Sequence, residues 1–92
     1  MRDDFEENLC RLFGKNLAKV RKDLHWSQER LALESGLARS YVGDVERGIR
    51  NVSLVNICRF ADTLGVDVTI LMTFRGQDDQ VKDSAETTVE AA

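Results

Sequence analysis

SQERLALESGLARSYVGDVERG, running from Ser27 to Gly48, is the stretch around which the rest of the chain is organised. It divides at Gly36 into two short segments, each with apolar residues at helical spacing, and the residues between them suffice only for a tight turn. Ser27 can accept a bond from a free N–H of a first helical turn, and Trp26 before it can staple onto Leu31. A helix therefore starts at about Gln28. Ala32 is small and lies one turn further on, where a second helix can cross closely, and Gly36 supplies the positive φ that ends the first. The second segment, from about Arg39 to Arg47, turns Val42 and Val45 inward with Leu37 ahead of them and stops at Gly48. Its outer face carries Arg39, Ser40, Asp44 and Arg47, with Gly43 between them.

At these residues the sequence resembles the Cro and phage-repressor type of helix-turn-helix family, the Xre-like bacterial regulators. The parts that match are Ser27-Gln28, Leu31-Ala32, Gly36 and Glu46-Arg47-Gly48. The resemblance extends from roughly Leu12 to Met72. It implies an all-α, compact five-helix, lambda-repressor-like DNA-binding domain, in which a first helix packs across the pair and Arg21 pairs with Glu46. The alternative for Glu46 is a solvated surface carboxylate. One departure stands out. Ala38 occupies the position where the family has a capping Ser or Thr, and a missing cap costs ~1 kcal/mol, which leaves the first turn of the second helix open to fraying until DNA orders it.

Working outward, Phe5, Leu9, Leu12, Phe13, Leu17, Val20 and Leu24 recur at steps of three to five and predict a long first helix over Asp4 to Asp23. Acids at its start and bases at its end suit the helix dipole. Gly14 weakens it by up to ~1 kcal/mol relative to Ala, which leaves room for a break. His25 and Trp26 form a link, and the lone histidine has no nucleophile or carboxylate partner in any recognisable pattern. On the other side of Gly48, Ser53 caps a helix from Leu54 to Leu64, with Leu54, Ile57, Phe60, Ala61 and Leu64 as its apolar stripe and Gly65 as its stop. Asp67 can cap a last short helix reaching Met72 or Phe74.

Val66, Val68, Ile70, Leu71, Met72 and Phe74 are too apolar for a helix with a single buried side, and the excess suggests a homodimer interface formed with a second copy. The other reading is a helix that only completes the core. The organisation expected is a DNA-binding and dimerisation domain over 1–75 followed by a disordered acidic tail over 76–92, since the tail is low in hydrophobicity, acidic and without aromatics.

Composition excludes several classes. The chain has 92 residues, 42% hydrophobic and 32% charged, enough for one small soluble domain. No apolar run approaches the ~20 residues that span a bilayer, and the acidic start is wrong for a secretory signal; a cytoplasmic protein is expected. Cys10 and Cys58 both fall at apolar helical positions and read as reduced core thiols, with a disulfide or redox switch as the alternative. Two cysteines and one histidine cannot make an ordinary four-ligand zinc site, and no cofactor motif is present. The formal charge of −3 conceals a division: ten basic residues face five acids between Leu9 and Phe60, while the tail from Gly76 holds five acids and one lysine. A positive middle is the footprint expected of a phosphate-binding surface.

An exposed helix of ordinary width fits the major groove, and its N-terminal turns reach base edges. Arg39 can donate two parallel bonds to guanine O6 and N7, whereas Ser40 is less selective. Asp44 can accept from a cytosine amino group or repel phosphate, and Gly43 lets the helix or a neighbouring backbone approach closely. Gln28 is placed to bond a phosphate with the free N–H groups of its helix start. The segment SYVGDVERGIRNVSL further resembles the controller proteins of restriction-modification systems, which implies base contacts from Arg39, Ser40, Tyr41 and Arg50 and phosphate contacts from Asn51 and Ser53, with Arg47 along the groove edge. The function implied is a homodimeric, sequence-specific regulator on a pseudo-palindromic double-stranded operator, with RNA polymerase as a further partner. Two other classes fit the same pattern: an antitoxin that autoregulates its operon, and an adaptor that has kept the fold without DNA affinity. An enzyme is not indicated, because the sequence has neither a phosphate loop nor an acid–base pair.

Overall fold

Capping chemistry sets where each element begins. The computed structural model describes residues 2–74, which form α1 (Asp4–Asp23), α2 (Gln28–Ser35), α3 (Arg39–Glu46), α4 (Leu54–Leu64) and α5 (Val68–Met72). The acidic tail and its expected disorder lie outside the described residues. Asp3, Ser27 and Ser53 each accept the N–H three residues on, at 2.8, 3.0 and 3.1 Å, and so start α1, α2 and α4. Asp67 starts α5 by accepting both the N–H and the hydroxyl of Thr69, at 2.9 and 2.8 Å. These bonds hold its carboxyl below the ordinary value, the backbone bond contributing most. Ala38 precedes α3 without a side-chain cap.

Chain reversals after the first four helices use one device. A residue with positive φ follows the last turn, and the next N–H reaches back to a carbonyl one turn earlier. Gly48 does this after α3 with φ 79, and Ile49 N bonds Asp44 O at 2.9 Å. After α1 the same place is held by His25 at φ 64, with Trp26 N on Arg21 O at 3.0 Å. The histidine is thus a turn residue in a conformation that side chains adopt only at some cost.

The core joins Leu12, Phe13 and Leu17 of α1 to Leu31 and Ala32 of α2, Val42 and Val45 of α3, Phe60, Ala61 and Leu64 of α4, and Leu71 and Phe74 at the C-terminal end. Phe13 meets Phe74 edge to face at 6.4 Å. Leu71 and Phe74, expected at the dimer contact, are therefore core residues of this chain, at 0% and 3% exposure. Burial of each contributes about 1.5–3 kcal/mol to folding. Val66 and Val68 pack partly against the same core, which leaves Ile70 and Met72 as the outward-facing members of that set.

The long first helix over Asp4 to Asp23 is as expected, and two other expectations are corrected. α1 runs unbroken through Gly14, because that glycine is a crossing point: a Cβ there would lie 2.1 Å from Val45 O and 2.8 Å from Glu46 O of α3. Leu54 heads the apolar stripe of α4 in sequence yet is 75% exposed, and the neighbouring Val55 is 62% exposed, so the stripe meets the core only from Ile57 onward. Cys10 is buried as expected, whereas Cys58 lies on the exposed side of α4. The buried polar residue Asn16 had no sequence signal. Its amide donates to Ile70 O and Leu71 O at 2.9 and 2.8 Å, so α1 supplies a partner for the carbonyls of the short α5.

Candidate nucleic-acid interface

α3 is held from behind by a charged joint as well as by packing. Arg21 of α1 donates to both carboxylate oxygens of Glu46, Nε to Oε2 at 2.7 Å and Nη2 to Oε1 at 2.9 Å. Its Nη1 donates to Trp26 O at 2.8 Å, and Glu46 Oε1 also accepts from Gln28 Nε2 at 2.8 Å. The two charged side chains are only 9% and 6% exposed, so each charge depends on the other and on these extra bonds. The Arg21–Glu46 pairing implied by the family resemblance is thus present. It ties the end of α1, the start of α2 and the last residue of α3 into one frame.

With Val42 and Val45 fully buried, the helical period turns Arg39 and Ser40 outward in the first turn of α3 and Arg47 outward at its end. All three are exposed. Tyr41 is half-buried: its ring stacks on Phe60 at 6.5 Å, and its hydroxyl accepts from Asn56 Nδ2 at 3.0 Å, which leaves the hydroxyl hydrogen for an outside acceptor. Arg50, in the loop after α3, places its guanidinium 5.4 Å from the centre of the Tyr41 ring. Asp44 ion-pairs with Arg47 and, at 3.5 Å, with Arg50 Nε. Tyr41, Asp44, Arg47 and Arg50 thus form one cluster.

Other expected residues are engaged in ways the sequence did not indicate. Gln28, expected at a phosphate, is half-buried and gives one amide hydrogen to Glu46, so its second hydrogen and the first-turn N–H groups of α2 are what remain for an anion. Asn51 donates to Glu6 of α1 at 3.1 Å, and Ser53 uses a lone pair to cap α4 while keeping its hydroxyl hydrogen. Gly43 does not mark a close backbone approach within this chain, since an added Cβ would meet only Arg47 Nη1 at 3.4 Å and Gln28 Oε1 at 3.9 Å. Glu6 and Asn56 went unsuspected, because both bonds join residues distant in sequence and neither falls in a motif.

A short, exposed, arginine-bearing helix set across a second helix and braced by a third defines a helix-turn-helix module of the DNA-binding kind. Comparison with known proteins gives its family. A family model described as Helix-turn-helix matches residues 17–71, and the chain belongs to this helix-turn-helix family of DNA-binding regulators. It is 44% identical over 68 residues to the control protein C.BamHI of Bacillus amyloliquefaciens, across 73% of this chain and 84% of that protein. The crystal structure of the restriction-modification controller protein C.AhdI from Aeromonas hydrophila is 52% identical, with a TM-score of 0.66 over 67% of this chain and 94% of that one. C.Esp1396I, solved as a tetramer in complex with its natural 35 base-pair operator, is 26% identical with a TM-score of 0.65, over 70% of this chain and 84% of that one.

Proposed function

We infer that this chain is the controller of a restriction-modification operon, acting in the cytoplasm as a homodimer on a pseudo-palindromic operator. The observation that carries the reading is the orientation of α3: Val42 and Val45 have no exposure while Arg39, Ser40 and Arg47 stand outward, with Arg50 beside them. An α-helix about 10–12 Å across enters the ~12 Å major groove. Arg39 then reads a guanine edge, Ser40 and Tyr41 add hydroxyl contacts, and Arg47 and Arg50 follow the groove. Gln28, Asn51 and Ser53 fix the register on phosphates.

Dimerisation is supported by apolar side chains that the core leaves outside: Ile70 and Met72 are 47% and 45% exposed, and Leu54 and Val55 more so. The relatives support the restriction-modification assignment through their own roles as control proteins. Among the described residues, no helix is long and apolar enough to cross a membrane.

Selecting bound sites from random duplexes tests the reading. A two-fold dimer should enrich two inverted half-sites with centres about 34–36 Å, or 10–10.5 base pairs, apart, or a multiple of that spacing. A pool that stays random after selection would refute it.

A further inference from the structure

The cluster on the outer face of α3 contains a negative charge, which repels the phosphates of a duplex. Asp44 sits between Arg47 and Arg50, each of its carboxylate oxygens facing one guanidinium, and is itself 26% exposed in its side chain, against 64% and 53% for the two arginines. Arg50 is located twice over, by Asp44 at its Nε edge and by the ring of Tyr41, which Phe60 and Asn56 hold in turn.

The geometry points to Asp44 as a specificity-determining residue that favours base edges over phosphates at Arg50, its other oxygen being tied to Nη2 of Arg47. This rests on the DNA-binding reading above. A guanidinium has five donors, and the carboxylate faces Arg50 on its Nε side, so the terminal Nη1 and Nη2 edge is left for a base. Guanine O6 and N7 are neutral acceptors that can take that edge while the Asp44 pair persists, so the correct base gains from an arginine that is already ordered. A phosphate carries a negative charge and meets the carboxylate's repulsion. It must either displace Asp44 from an arginine or bind beside it. Non-specific binding, which is almost wholly phosphate contact, is therefore lowered more than binding to the right sequence.

The test compares wild type with Asp44→Asn, which keeps shape and removes charge, on a duplex selected by the wild type and on a scrambled duplex of equal length. Anisotropy titrations at several salt concentrations give the readout. Asp44→Asn should bind the scrambled duplex about tenfold tighter, with a log-log salt slope steeper by about 1, while the selected duplex changes by less than about threefold. Asp44→Glu keeps the charge and should hold the ratio of the two affinities near wild type. Asp62→Asn, the same charge change on an exposed part of α4, should leave the ratio unmoved. An unchanged ratio in Asp44→Asn, equal loss on both duplexes, or an equal fall in Asp62→Asn would overturn the assignment. Failure of the wild type to bind any duplex would instead overturn the functional reading beneath it.

Discussion

Gly14→Ala is expected to destabilise the protein by about 2 kcal/mol or more, against the helix propensity of alanine, which favours the change by up to ~1 kcal/mol. The added methyl carbon would stand 2.1 Å from Val45 O and 2.8 Å from Glu46 O. An ordinary C···O contact is about 3.3 Å or longer, so α1 and α3 must separate by more than an ångström. Carbonyl oxygens in a helix cannot rotate aside as a flexible side chain can. Overpacking of this kind typically costs about 1–3 kcal/mol and sometimes more, and here it also stretches the Arg21–Glu46 joint that closes the same crossing. Urea unfolding at fixed protein concentration measures it. Gly43→Ala is the companion: its methyl meets only side-chain atoms, Arg47 Nη1 at 3.4 Å and Gln28 Oε1 at 3.9 Å, so stability should hold or rise by up to ~1 kcal/mol. Equal gains from both substitutions would contradict the close crossing at Gly14.

Arg21→Met should cost about 3–5 kcal/mol, because it leaves the Glu46 carboxylate buried with Gln28 as its remaining partner among those bonds. A small domain has only about 5–15 kcal/mol of stability to lose, so the change removes a large share of it. The loss arises from the stranded charge more than from the missing attraction. Adding Glu46→Gln to Arg21→Met should therefore recover part of the stability, the two changes being strongly non-additive. Additive losses, or a single-mutant cost under about 1 kcal/mol, would place the pair on the surface in energetic terms. The joint ties α3 to α1 and to the start of α2.

Where local chemistry dominates, the sequence reads directly into the structure. The caps at Ser27, Ser53 and Asp67 and the stops at Gly36 and Gly65 bound their helices as expected, and the inward valines of α3 settle which of its residues face out. Pattern failed where two explanations share one pattern. Gly14 reads as a weak point in a helix by propensity, and its close contact with α3 exists only in three dimensions. From Val66 to Phe74 nearly every residue is apolar, so period alone cannot separate Leu71 and Phe74, which fill the core, from Ile70 and Met72, which do not. On α3, the outward setting of Arg39 and Ser40 was legible from spacing. The capture of Arg50 by Asp44 and Tyr41 was not, because the loop that brings it back follows no periodic rule.

The most direct measurement is the affinity of wild type and Arg39→Ala for four operators that differ at one base pair in each half-site, repeated along the half-site. Wild type should discriminate by about 1–3 kcal/mol at the base pair that Arg39 reads. The expected result is that Arg39→Ala loses this discrimination at that position alone and keeps the wild-type preferences elsewhere. If Arg39→Ala retains full discrimination at every position, or weakens all operators by one common factor, then α3 does not read DNA through Arg39.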